Sequence, residues 1–355
     1  MECWATVRRS ISLSAHYSTN PPIHHPTALM ATVTLARHAM ATRFEIVLHG
    51  DDPVALRAAG EEALEEIEGL EARLSLFQPG SEIAHLNARA AREPVRVTPG
   101  LMALLRQAKE LHAQTDRAFD ITVAPLVRCW GFMGGTGHLP RPEELESARD
   151  KVGMNLVELN PENFTVRFAR EGVMLDLGAI GKGYAIERAA ELLREAGVTS
   201  ALLHGGTSTV YALGEPAAGQ TWTVAVENPK AALDAAGSGQ PPAVVVAPLV
   251  TVPLKDEAMS VSAVWGKSFE AGGKRFGHVL DPRSGQPVSG AVLAVVVLAS
   301  ATETDALSTA LLTLGLEGHD RIAGLRPGIR CLAVAEHNGR FKTRSCGIAL
   351  PAVLA

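Results

Sequence analysis

From Arg43 to Gly50 the chain reads RFEIVLHG, with apolar and polar residues alternating until a glycine stops them. Period two predicts a strand. The spacing then changes: Leu56, Leu64, Ile67 and Leu70 fall on one face of a helix predicted from about Pro53 to Leu74. A second helix is expected over about Gly100 to Gln114. It precedes RAFDITVAPLVRCWGF, whose dense apolar side chains and late proline predict a buried segment shaped for function.

Between Asn155 and Leu177 the runs LVEL, TVRF and VMLDL are short strand signals, and YAIERAAELLREAG is a strong helix closed by Gly197. SALLHGG, STVYALG and WTVAVENP read as further strands, and KAALDAAGSGQPPA as a surface loop broken by Pro and Gly. VVVAPLVTVPL, MSVSAVW, SFEAGGKRFGHVLDPRSG and AVLAVVVLAS follow. The helix TETDALSTALLTLG comes next, then IRCLAVAE and RFKTRS. The sum is an α+β fold with mixed sheets flanked by helices, and no internal repeat is visible.

Regular alternation begins only after Met30, so residues 1–30 are expected to be a tail or an extension ahead of a later start, and 31–355 the functional domain. Arg8 and Arg9 hint at twin-arginine export, yet SISLSAHYSTN is too polar for a signal core and no lipobox cysteine is present. The expected location is cytoplasmic. The longest apolar run, AVLAVVVLA, is too short to span a bilayer as a helix.

Composition narrows the function classes. The chain is 355 residues long, 46% hydrophobic and 20% charged, enough for a large core. A net charge of -5 without a basic stripe argues against nucleic acid. Cys3, Cys129, Cys331 and Cys346 are scattered, which excludes a C-x-x-C pair and gives no disulfide scaffold.

Three stretches carry chemistry. LDLGAIGKGYAIERAAELL is a strand ending in a glycine turn that enters a helix, a place where free N–H groups favour phosphate. Its G-x-x-G-x-G order matches neither the dinucleotide fingerprint nor a Walker loop, so a plain tight turn stays open, with Asp176 and Lys182 as the residues that favour a ligand. In TETDALSTALLTLG, Asp305 and Thr309 lie four residues apart on one helix face. They are either two oxygen ligands for a hard cation such as Mg²⁺, or a dipole-favoured Asp and a back-bonded Thr. GHVLDPRSGQP places His278 and Asp281 in a turn that could hold a base or simply reverse the chain.

Taken in order, AFD, LDLGAIGKGYA, HVLDPRSGQPV and DALSTALLTLG resemble the FAD:protein FMN transferase family, the ApbE-type flavin transferases, over about Met40 to Gly315. The resemblance implies an enzyme with a flavin transferase fold. It binds FAD and Mg²⁺, cleaves the pyrophosphate and transfers FMN to a Thr or Ser hydroxyl of an acceptor flavoprotein, releasing AMP. It further implies Asp305, Thr309 and the Ala179 carbonyl as metal ligands. Met40, Phe77, Ala118, Phe119, Asp120, Asp176, Lys182 and Val279 become contacts to FAD, with Lys182 neutralising phosphate charge and His278 as general acid or base.

The chain departs from the family pattern at Thr207-Ser208, after two glycines, and at Ala263 where the family has Gly. An FAD pyrophosphatase, giving FMN and AMP, and a non-catalytic flavin-binding protein are the alternatives; an intact Asp305/Thr309 pair argues against the second. Acceptors resemble D-x-x-S/T-G-A-S/T. In this chain's nearest match, SGAV, Val292 stands where the modified hydroxyl is needed, which excludes self-modification there.

Overall fold

The computed structural model describes residues 30–230, 232–233 and 247–350. Residues 1–29, most of the KAALDAAGSGQPPA loop and the VVV of the next run lie outside them. Fifteen strands are found among the described residues. They are β1 (Ala31–Ala39), β2 (Thr42–Gly50), β3 (Val95–Arg96), β4 (Val157–Asn160), β5 (Thr165–Phe168), β6 (Ala201–Gly205), β7 (Thr209–Leu213) and β8 (Trp222–Val226). After these come β9 (Val250–Leu254), β10 (Glu257–Ala263), β11 (Ser268–Ala271), β12 (Lys274–Gly277), β13 (Leu293–Leu298), β14 (Arg330–His337) and β15 (Arg340–Cys346). The helices used below are α1 (Pro53–Leu74), α2 (Glu82–Arg89), α3 (Pro99–Gln114), α4 (Ala124–Cys129), α5 (Pro142–Arg149), α6 (Gly181–Glu195) and α7 (Ala301–Leu314).

Eight strands form the main sheet in the order β1-β2-β6-β7-β10-β13-β14-β15. The expected α+β class, with sheets flanked by helices, is what the structure has. Strand direction is a refinement: every pairing among the described residues is antiparallel rather than mixed. Hairpins join β1 to β2 and β6 to β7, and the long helical excursions re-enter beside a strand running the opposite way. Both faces of this sheet are covered. Along β13, Ala294 and Val296 face the core shared with the helices, while Leu293, Val295 and Val297 face a second core under the β8-β9 ribbon. A central strand buried on both sides reads as an unbroken apolar run.

Helix α1 forms where its spacing says, starting behind a Pro at N1 with Asp52 accepting from Val54 N and Ala55 N. Leu56, Leu64, Ile67 and Leu70 are all buried, each contributing about 1.5–3 kcal/mol by leaving water. α1 packs on α6, α6 on α7, and α7 on β10 and β13. That three-helix stack on one sheet face positions the site.

One expected strand is absent. VMLDL is irregular backbone, since Leu175 exchanges both backbone bonds with the Asn87 amide (2.7 and 3.0 Å) and Asp176 N donates to Ile121 O at 2.7 Å. A side chain and a distant loop have replaced the ladder partner. α2, α4 and α5 were not read from the sequence; with eight residues or fewer they give little periodicity.

Candidate functional site

The glycine turn and the Asp305 helix meet directly. Ile180, at the N-cap of α6, supplies no capping side chain, and Gly183 N instead donates to Asp305 Oδ2 at 2.9 Å. In an uninterrupted helix that N–H would go to the Ala179 carbonyl. Among the described residues no backbone donor takes its place, so this carbonyl stays free to bind a ligand. Gly183 is required by the approach itself: a Cβ there would lie 2.2 Å from Ala301 O and 2.7 Å from Asp305 Cβ. Four residues along α6, Glu187 Oε2 accepts from Ser300 Oγ (2.8 Å) and Thr302 N (2.7 Å), locking the start of α7 in register.

Asp305 is buried, and Thr309 Oγ1 lies 3.3 Å from the Asp305 carbonyl and 3.2 Å from Ser262 Oγ on β10. A carboxylate, a hydroxyl and a carbonyl make an all-oxygen donor set suited to a hard cation that keeps much of its water. Among the described residues no group of three His, Cys, Asp or Glu side chains converges. The donors fit magnesium.

Lys182 and Asp176 occupy the same turn. Asp176 Oδ1 accepts from Gly178 N at 2.8 Å, and Lys182 Nζ donates to Gly178 O at 3.2 Å. Packing around Asp176 pushes its carboxyl above the usual carboxylate range, while the Gly178 N–H and the Lys182 charge pull the other way. The Lys182 charge also reaches His278. Burial, together with the Lys267 and Lys182 charges, pushes the His278 imidazole down, against an opposing hydrogen bond to the Lys267 carbonyl. That bond, 3.1 Å from Nδ1, places the ring proton on Nδ1 and leaves the Nε2 lone pair open. Gly266 clears room for the ring, since a Cβ there would sit 2.6 Å from it. Phe132 meets the ring edge-on at 6.5 Å, and Phe269 and Phe276 stack at 5.3 Å beside Trp130.

Ala118, Phe119 and Asp120 are buried. The Asp120 carboxylate is occupied within the protein, accepting from Thr122 N and Oγ1 (2.7 and 2.6 Å) and facing His112 Nδ1 at 3.2 Å. Its loop is tied to the site through the Ile121–Asp176 backbone bond. Val279 follows His278, and its carbonyl accepts from Val288 N at 2.9 Å where the chain returns after the turn. Asp281 accepts from Arg283 N, Nε and NH2, and therefore serves the turn.

No hydrogen bond among the described residues joins Met40 or Phe77 to this group. Met40 lies in the β1-β2 turn with φ 49, followed by Ala41 at 58, the geometry normally given to Asn-Gly. Strained backbone of this kind gathers at functional sites. Phe77 is 70% exposed, an aromatic face left open to solvent. The residues that shape this group and that the sequence does not single out are Gly183, Glu187, Ser262 and Asn87. Only Gly183 carried a signal, a glycine placed inside the first turn of a strong helix.

The fold and site define an α+β protein in which helices packed on one face of an antiparallel sheet bring the glycine turn against Asp305. The chain belongs to the ApbE family, whose model matches residues 40–333. The chain is 28% identical over 323 residues to the FAD:protein FMN transferase of Haemophilus influenzae, covering 88% of this chain and 89% of that one. Against the Treponema pallidum enzyme of the same name the identity is 30%, covering 84% and 83%. Among solved structures, the apo flavinyl transferase ApbE of Pseudomonas stutzeri matches with TM-score 0.76 and 28% identity, over 90% of this chain and 95% of that one. The ApbE protein of Thermotoga maritima matches with TM-score 0.76 and 27% identity, over 88% and 96%. No helix among the described residues is long and apolar enough to cross a membrane.

Proposed function

We propose that this protein is an FAD:protein FMN transferase that uses Mg²⁺ and delivers FMN to a Thr or Ser hydroxyl in an acceptor sequence of the D-x-x-S/T-G-A-S/T kind. The observation that carries the reading is the Gly183–Asp305 bond, which joins the glycine turn bearing Asp176 and Lys182 to the helix bearing Asp305 and Thr309. Family membership and the relatives' names support it.

Asp305, Thr309 and the Ala179 carbonyl would hold the Mg²⁺, which when bound supplies neutralisation of pyrophosphate charge. Lys182 adds a second positive charge to the phosphates, and Phe77 and Met40 flank the flavin. His278, neutral near pH 7, takes the acceptor hydroxyl's proton on Nε2 as that oxygen bonds to the phosphorus of the FMN half. The anhydride bond to the other phosphate breaks in the same displacement, and AMP leaves. Atoms balance as FAD plus hydroxyl giving FMN ester plus AMP and the transferred proton.

The test is incubation with FAD, MgCl₂ and an acceptor domain carrying the motif, read by intact mass and AMP release. Covalent flavin that survives denaturation, in step with AMP, is expected. Free FMN and AMP with several acceptors would make the protein a pyrophosphatase instead.

A further inference from the structure

The hydroxyls between β10 and α7 form two separate clusters. In the first, Ser260 Oγ lies 3.1 Å from Thr209 Oγ1 and 2.8 Å from Thr304 Oγ1, fully buried. In the second, Ser262 Oγ lies 2.8 Å from Ser308 Oγ and 3.2 Å from Thr309 Oγ1. Both Ser308 Oγ and Thr309 Oγ1 also reach the Asp305 carbonyl, at 3.0 and 3.3 Å.

That carbonyl is oversubscribed. Within α7 it is also the ladder acceptor for the Thr309 N–H, so three donors compete for two lone pairs. The longest contact, the Thr309 hydroxyl, is the one to give way. Its proton then points to Ser262 Oγ, the Ser262 proton to Ser308 Oγ, and the Ser308 proton to the Asp305 carbonyl. In this direction each hydroxyl donates once, and the Thr309 oxygen keeps both lone pairs for a cation.

We infer that Ser262 is the positioning residue for Thr309, accepting its proton so that the hydroxyl oxygen presents its lone pairs to the metal site. The inference rests on the magnesium reading proposed above. It assigns a task to the strand opposite α7, which supplies none of the three ligands.

MgCl₂ is titrated into the full chain with FAD present, and the half-saturating concentration is read from thermal stabilisation. Ser262→Ala should raise that concentration about three- to tenfold, the loss expected for one neutral hydrogen bond. Stabilisation by FAD without Mg²⁺ should stay the same. Ser262→Thr, which restores the hydroxyl, should return it to within about twofold. Ser262→Cys keeps the volume with a poor acceptor and should behave like Ala, which guards against a cavity effect. Ser260→Ala serves as the control: it removes a hydroxyl from the same strand without touching Thr309, and should lower the melting temperature with the half-saturating concentration unchanged. If Ser262→Ala and Ser262→Cys match wild type while Asp305→Asn loses the Mg²⁺ response, the positioning role is wrong and the metal site stands. If wild type itself gives no Mg²⁺ response, both fall.

Discussion

Helices α1 and α6 start by opposite means. At α1, Asp52 sits beside the N–H groups it satisfies, Val54 and Ala55, at 2.9 and 3.0 Å. At α6 the corresponding donor, Gly183 N–H, is satisfied by Asp305, 122 residues further along the chain. A locally capped helix start is complete by itself. One capped from another helix exists only once both helices are docked, and in the function proposed above the carboxylate that caps it would also hold the metal. The N-terminus of α6 is therefore the place where a fold contact and the proposed metal site share a group.

The largest break in this comparison comes at Asp305. Asp305→Asn keeps an oxygen for Gly183 N–H and removes the charge, so folding should be little changed while AMP release from FAD falls at least a hundredfold, about 3 kcal/mol. AMP assays on folded protein, checked by melting curves, read both. Wild-type turnover in that variant would remove Asp305 from the chemistry.

Gly183→Ala comes next. The helix-propensity gain is about 1 kcal/mol, but the new Cβ meets a backbone oxygen that cannot swing aside, and overpacking costs typically 1–3 kcal/mol. Net destabilisation with weakened Mg²⁺ binding is expected in urea unfolding and metal titration. A stabilised Gly183→Ala would mean that the two helices are not held as closely as described.

Asp52→Ala supplies the contrasting arm. Loss of the local cap should cost about 1 kcal/mol and leave catalysis as it was. An activity loss greater than the stability loss explains would show that α1 is coupled to the site through its packing on α6.

The smallest effect concerns pH. His278 has a folded value below the ordinary 6.5, so the native state binds fewer protons than the unfolded one across that interval. The stability it contributes is complete above about 6.5 and is lost as pH falls through its lowered folded value. Unfolding midpoints measured from pH 7 downward should decline less in His278→Gln than in wild type. An identical decline would place the acid sensitivity elsewhere.

Much of the fold was legible from the chain because its determinants are local. α1 has an Asp, a Pro and a regular apolar face within one stretch, and β13 has an unbroken apolar run. VMLDL misled for the opposite reason: its short apolar run suits a strand, but Asn87 and Ile121 took the bonds a neighbouring strand would have made. The β1-β2 turn also hid itself, because Met40 and Ala41 hold a conformation that Asn-Gly would have announced.

For the site, the sequence by itself determined the chemical inventory and its local spacing: a carboxylate and a hydroxyl one helical turn apart, a lysine among glycines, and a histidine ahead of a turn. Tertiary structure decided which of these act together. It put Gly183 against Asp305 and the Lys182 charge within reach of His278. It left Asp120 occupied by Thr122 and faced by His112, and gave Ser262 to Thr309. The division has a physical cause. Helix periodicity and capping operate over a few residues and are written in the chain. The partner of a buried carboxylate or hydroxyl depends on which surfaces the sheet brings within about 3 Å, and no local pattern encodes that distance.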